Sequence, residues 1–254
     1  MSRKLWLVAS LAVLFTPLLP AQTVDDIIAK NIQARGGIDK IKSVKTVRST
    51  ATMSMGGGME APGSMVQKRP DMARLEFTVQ GLTAVQAYDG KDAWQIMPFM
   101  GKKDPELMSA DDKKDIVENA DIDGPLVDYK SKGNKVELLG KEKVEGTDAY
   151  KLKITLKDGD VINDYIDADS FLEIRQETKR MIRGSEQEIE SSLGDYKEVN
   201  GVMYPFAMEN GIKGGTEKEK LTVSKIEINV PVDDSIFKMP PPAPPAAKPE
   251  EPKK

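Results

Sequence analysis

The chain has no cysteine and no histidine in 254 residues. The first absence removes a disulfide framework, a thiol nucleophile and any lipidated cysteine that would tether an exported protein to a membrane. The second removes every His-dependent triad, every His-ligated metal and the one side chain whose unperturbed charge changes near neutral pH. Aromatic residues are also scarce, at 6% of the chain, and Trp94 is the only tryptophan beyond the N-terminal stretch that holds Trp6. There is no excess of one charge: 37 basic and 41 acidic residues alternate along the chain for a net charge of −4. Nucleic-acid binding driven by phosphate contacts needs a basic field, so that class is set aside. No segment after the N-terminal stretch reaches the roughly 20 apolar residues of a membrane helix.

What is there begins with MSRKLWLVASLAVLFTPLLPA, residues 1–21. Arg3 and Lys4, the apolar run from Leu5 to Phe15 and the small residues around Ala21 form a secretory signal peptide, with cleavage expected after Ala21 or Gln22. The mature chain is expected to be periplasmic, soluble and unlipidated, and long enough to bury one substantial core.

Thr23 with Asp26 makes a capping box ahead of Val24, Ile27, Ile28 and Ile32 at helical spacing, which predicts a helix over 24–35 stopped by Gly36 and Gly37. A short helical turn is expected near Ile38 to Lys42. From Val44 the period becomes two, with Val47, Ala51, Met53 and Met55 alternating with polar residues. GGGMEAPG, residues 56–63, is read as a turn, followed by a strand to Lys68 and another carrying Ala73, Leu75, Phe77 and Val79 on one face. Strands around Val85 and Trp94 flank an Asp89-Gly90 turn. Ser109 with Asp112 caps a second helix whose apolar stripe, Ile116, Val117 and Ala120, is thin; Gly124-Pro125 ends it, leaving Leu126 beyond the break. Further strands are expected at 136–139, 150–156, 161–166, 171–181, 187–196, 203–208 and 221–230, with a Val199-Asn200-Gly201-Val202 hairpin. The result is a mainly β chain: a single curved antiparallel sheet forming an incomplete barrel, with two or three short helices over its concave face. This domain spans 22–239, and PPPAPPAAKPEEPKK from Pro240 is expected to be an extended, disordered tail.

Methionine is abundant, at 13 residues, and suits both irregular core gaps and surfaces that accept varied apolar partners. The stretch DGKDAWQIMPFM, residues 89–100, concentrates apolar bulk beside a turn. Composition alone favours ordinary core there. A wide sheet with little helix to cover it shifts the balance towards a cavity, with Met53, Met55, Met65, Leu75, Phe77, Trp94, Ile96, Phe99 and Met100 as the candidate lining. Period two puts Trp94 and Ile96 on one face and Met97 on the other without identifying the concave one. Catalytic patterns are poor: Asp25-Asp26, Asp111-Asp112 and Asp233-Asp234 sit in capping or charged contexts, Asp167-Ala168-Asp169 lacks the spacing of a calcium loop, and Gly56-Gly57-Gly58 is no phosphate cradle. No catalytic residue, metal or cofactor is expected.

VQKRPDMARLEF (66–77) followed by YDGKDAWQIMPF (88–99) resembles the LolA-type outer-membrane lipoprotein carriers and the broader lipoprotein-sorting family. The matching elements are Lys68-Arg69-Pro70, Asp89-Gly90-Lys91, Trp94 and Pro98-Phe99, extended by Gly124-Pro125-Leu126 and Val230-Pro231-Val232-Asp233. The resemblance implies a half-barrel whose helices act as a lid over an apolar interior. It also implies a cargo of lipid or lipoprotein acyl chains, with an inner-membrane release complex and an outer-membrane acceptor as handover partners. It casts Arg69 as the latch that holds the lid closed. The chain departs from the family in its length, its methionine-rich lining and its proline-rich tail. A monomeric periplasmic carrier is therefore the first reading. An envelope sensor or scaffold on the same half-barrel, binding lipid or peptide to regulate a membrane partner, is the second, and a hydrolase is third, since no serine stands in a nucleophile elbow.

Overall fold

The computed structural model describes residues 22–182 and 184–241. The expected signal peptide, residues 1–21, and residues 242–254 of the expected tail lie outside the described residues. Three helices, α1 (Val24–Ala34), α2 (Ile38–Ser43) and α3 (Lys114–Ala120), accompany thirteen strands. The strands are β1 (Thr46–Met55), β2 (Met59–Lys68), β3 (Met72–Val79), β4 (Leu82–Tyr88), β5 (Ala93–Met97), β6 (Lys102–Leu107) and β7 (Lys135–Val144). After these come β8 (Thr147–Thr155), β9 (Val161–Asp167), β10 (Glu173–Ile182), β11 (Ser185–Val199), β12 (Val202–Ile212) and β13 (Lys218–Ile228).

All thirteen strands belong to one antiparallel sheet, in the order β6-β5-β4-β3-β2-β1-β13-β12-β11-β10-β9-β8-β7. Each neighbour is also the next strand in sequence, except where β1 meets β13 with Val47 opposite Ile228 and Ser54 opposite Lys220. That one long-range pairing leaves β6 and β7 as the two free edges. Because β6 and β7 are consecutive in the chain, residues 108–134 must cross from one edge to the other.

The register assigns the faces, since residues directly opposite in an antiparallel pair point the same way. One face carries the row Arg48, Val66, Arg74, Ala87, Trp94 and Leu107. The other carries Val47, Ala51, Met53, Met65, Leu75 and Phe77, and continues through Leu221, Met208 and Leu193 to Tyr150, Leu152 and Ile154. All three helices lie on this second face. Ile27 and Ile28 of α1 pack on Tyr150, Leu152, Ile154, Ile162 and Ile166. Ile41 of α2 packs on Val44, Val47, Val127 and Val202, and Ile116 and Ala120 of α3 pack on Ala73 and Ala93. The same α3 reaches Arg180 of β10 through Asp115 and Glu118. Strands β3 and β10 are six places apart in the sheet, roughly 29 Å if it were flat. One helix meets both, so the sheet curves around it, and the helix-bearing face is the concave one.

Local chemistry explains the elements. The Thr23 hydroxyl accepts from Asp26 N at 3.2 Å while Asp26 accepts from Thr23 N at 3.0 Å, the reciprocal cap that starts α1. Asp89 Oδ1 accepts from the backbone N–H groups of Lys91 and Asp92 and so closes the β4–β5 hairpin. Asn200 and Gly201 both take positive φ, the two-residue type I′ turn that the sequence predicts.

Three boundaries differ from expectation. The turn read over 56–63 is confined to Gly56–Gly58, and β2 runs from Met59 through Pro62. Gly57 and Gly58, at φ 78 and 76, complete the reversal alone. Pro62 is tolerated because β3 pairs with β2 only from Gly63 onward, so at Pro62 the strand has a single partner. Lys102–Leu107 has no apolar alternation yet forms β6; it is an edge strand, where charge and proline discourage further pairing. The Ser109–Asp112 box holds the turn before α3, with Asp112 N donating to Ser109 Oγ at 3.1 Å, and the α-helix itself starts at Lys114.

The joint between α1 and the sheet is tight. Met203 N donates to Arg35 O at 3.0 Å, and a Cβ on Gly36, whose φ is +120, would lie 2.1 Å from the Gly201 carbonyl oxygen. Gly36→Ala is therefore expected to cost roughly 2–5 kcal/mol through strain and overpacking. Urea unfolding checks this; a loss below about 1 kcal/mol would mean the joint yields.

Candidate functional site

The concave face is lined in rows that the strand register makes continuous. One row runs Leu193, Met208, Leu221, Met53, Ala61 across β11, β12, β13, β1 and β2. The next runs Val223, Ala51, Gly63, Phe77, Ala84 across β13 to β4. Leu193, Met208, Leu221, Met53 and Phe77 are only half-buried, whereas Ala61 and Ala84 are sealed. The floor between the β3 and β10 walls is thus an apolar surface that the protein's own packing leaves partly uncovered.

The candidate lining residues separate on this frame. Met53, Met65, Leu75 and Phe77 are on the concave face, and Met65 and Leu75 lie against α3. The side chain of Met55 lies outside the described residues. Phe99 stands at the rim, its ring 5.8 Å from that of Phe77, and Met100 beside it is 67% exposed. Trp94 and Ile96 are on the convex face, away from the floor. Trp94 is buried there with Val85 and Ala87, and its indole N–H donates to Phe237 O at 2.7 Å. The C-terminal turn Asp234–Phe237 covers it, and Arg74 adds a cation over the ring and donates to Ile236 O. A shallow cavity of about 300 Å³ between Arg74, Trp94, Ile96 and Ile236 belongs to this outer seam.

The expected lid helix also divides. Ile116 and Ala120 are buried and Val117 half-buried, in one cluster with Ala73, Ala93, Met108, Met65, Leu75 and Tyr88. Leu126 is buried in a different cluster, with Ile27, Leu152 and Ile154 on the β8–β9 side. The crossing segment is therefore fixed to both walls, α3 on one and Leu126 on the other.

Polar contacts hold it in place, the two strongest sets centred on arginines. Arg69 donates to the carbonyls of Val44 at 2.6 Å and Ile41 at 3.1 Å, where α2 ends, and forks onto Asp123 at 2.9 and 2.5 Å. A planar guanidinium suits that combination of a carboxylate with two carbonyls. Asp123 is buried, and it also takes Lys42 at 2.7 Å, while its own carbonyl accepts from Arg35 at 2.9 Å. The second set centres on Arg180, whose side chain is 11% exposed and which donates to Asp115 at 2.8 Å and Glu118 at 2.6 Å. Lys114 adds a contact to Asp160 at 2.6 Å.

Among these groups Arg69 carries a sequence signal, the Lys-Arg-Pro run. Asp123 and Arg180 carry none, because a buried ion pair is a property of three segments meeting. Leu193, Met208 and Leu221 lie in strands the sequence predicts, but their membership in one row follows only from the register.

Burial by itself raises the Asp123 carboxyl, and the hydrogen bonds from Arg69 and Lys42 more than reverse it, holding the group down at about 2 against an ordinary 3.8. A lowered carboxylate contributes stability in full above its unfolded value and loses it as pH falls through the folded one. The pair is expected to contribute about 2 kcal/mol above pH 4 and to lose it between about pH 4 and pH 2. Asp123→Asn, less stable at neutral pH, should lack that portion of the acid slope in denaturant titrations from pH 7 to pH 2. An acid slope equal to the wild type's would place the titration elsewhere.

The fold is shared with solved structures of low sequence similarity. A DUF1329 family protein from Desulfovibrio piger superposes at a TM-score of 0.61 with 16% identity, over 85% of this chain and 97% of that one. A LolA superfamily protein from Nitrosomonas europaea gives 0.58 and 15%, over 86% and 98%. An outer membrane lipoprotein-sorting protein domain from Vibrio parahaemolyticus gives 0.56 and 14%, over 83% and 94%. No family model and no curated protein sequence matches the chain. The architecture of this chain is thus that of the LolA superfamily protein and the lipoprotein-sorting domain.

Proposed function

We propose that the protein is a periplasmic carrier that takes up lipid or lipoprotein acyl chains in its concave groove and moves them towards the outer membrane. The observation that carries this reading is the half-buried row Leu193, Met208, Leu221, Met53, closed at one end by the sealed Ala61. Each methylene removed from water is worth about 0.8 kcal/mol, and flexible methionine and leucine side chains accept chains of varied shape. The crossing segment supplies the means of opening. Its α3 has a short apolar face on Met65 and Leu75, so an acyl chain can replace those contacts with equivalent ones.

The fold likeness supports the carrier class, and the secretory signal read in the N-terminal 21 residues supports the compartment. No helix among the described residues is long and apolar enough to cross a membrane. On this reading Arg69 is the latch: its loss frees Asp123 and the end of α2 together and favours the open groove. Cargo is received from an inner-membrane release complex and surrendered to an outer-membrane acceptor.

Protein isolated from the periplasm without detergent should carry stoichiometric lipid in organic extracts read by mass spectrometry. Leu221→Glu, which sets a charge in the middle of the row, should keep the fold by circular dichroism and lose at least 90% of that lipid. A wild-type protein that is folded and lipid-free would overturn the carrier reading.

A further inference from the structure

The carrier reading leaves open which end of the cargo the protein recognises, and the Arg180 clamp bears on that. Arg180 projects from β10 into the concavity, opposite Gln187 of β11 and on the same face as Ile189 and Leu193 further along that strand. It is near the end of β10, which closes at Ile182, so it stands at the rim of the groove. Its two carboxylate partners, Asp115 and Glu118, both belong to α3 and are three residues apart on one side of the helix.

Lifting α3 therefore does two things at once. It exposes Met65 and Leu75 of the wall and Ile116 of the helix, and it strips both anions from a guanidinium that is 11% exposed in the closed form. The apolar loss is made good by any acyl chain. The cation at the rim is not matched in this way, because acyl carbon offers no charge or acceptor for a guanidinium that has lost two carboxylates. A neutral amphiphile leaves those two ion pairs unreplaced; an amphiphile with an oxyanion at its head restores one.

Resting on the groove reading above, we propose that Asp115 and Glu118 are internal stand-ins for a ligand headgroup, and that the cargo is an anionic amphiphile whose phosphate or carboxylate takes their place on Arg180. The acyl chain then runs from the rim past Ile189 and Leu193 onto the row that leads to Met53. The lid and the headgroup compete for one cation, so the protein is closed when empty and selective when open.

The test compares lysophosphatidylglycerol with the uncharged monoacylglycerol of the same acyl chain, below their micelle concentrations, by titration calorimetry on delipidated protein. Wild type should bind the anionic lipid at least tenfold more tightly, and Arg180→Gln should bring that ratio to about one. Asp115→Asn with Glu118→Gln keeps the cation but frees it from the lid. This double variant should gain about tenfold for lysophosphatidylglycerol and retain the preference, which also guards against a poorly folded Arg180 variant. A preference that survives in Arg180→Gln overturns the headgroup site while leaving the groove intact. Inorganic phosphate binding as tightly as the anionic lysolipid makes a free anion the ligand and overturns the lipid assignment. Wild type that binds neither lysophosphatidylglycerol nor the monoacylglycerol overturns the groove reading and this proposal together.

Discussion

The sheet has two free edges that are neighbours in the chain, and this constraint organises the rest of the molecule. Pairing β1 with β13 joins two meanders into thirteen strands and sends β6 and β7 to opposite sides. The intervening residues 108–134 join the two edges across the concavity, α3 packing on Ala73 and Leu126 on Leu152. A segment forced into that position must be held there, and its central group is Asp123, a buried carboxylate neutralised by Arg69 and Lys42. Arg69 couples it to the carbonyls at the end of α2. The corner between β2 and β3, the second helix and the crossing segment therefore share one ion pair, and breaking it loosens all three.

Two kinds of contact hold α3, and they respond differently to a ligand. Its apolar seat on Met65, Leu75 and Ala73 is non-directional, so acyl carbon substitutes for Ile116 and Ala120 at little net change. The polar clamps, at Asp123 and Arg180, are directional, and each is strong only with its own partner in place; Asp123 is buried, while Arg180 meets its carboxylates at the rim. On the carrier reading proposed above, occupancy of the groove is governed less by the area of apolar surface than by which polar contacts the opened lid leaves unmet. A carrier needs this division, because cargo bound by area alone would be retained at the destination.

Much of the fold is legible in the sequence because it is local. The capping box at Thr23, the Asp89-Gly90 and Asn200-Gly201 turns and the period-two strands each follow from a few adjacent residues, and the structure places them accordingly. Concavity is a different kind of property. DGKDAWQIMPFM looks like one apolar cluster, yet alternation sends Trp94 and Ile96 to the convex seam under Phe237 while Phe99 meets Phe77 at the rim. Nothing within twelve residues specifies which face the long-range β1–β13 pairing will bend inward. The same holds for Asp123, whose neighbours Ile122 and Gly124 give no sign of burial, and for β6, whose charged sequence reads as loop until its edge position is known.

The partial burial of the floor resolves a tension between stability and function. A fully exposed apolar row of this width would invite association with other chains, and a fully packed one would be core. Leu193, Met208, Leu221 and Met53 lie between those limits: each is half-buried on the concave face and belongs to none of the sealed clusters. Small residues at the β2–β4 end of each row, Ala61 and Ala84, let that wall close in without filling the middle. Stability is drawn instead from the sealed clusters beneath α1 and α2. On the proposed carrier reading, the half of the sheet that α3 covers opens while the other half holds the fold.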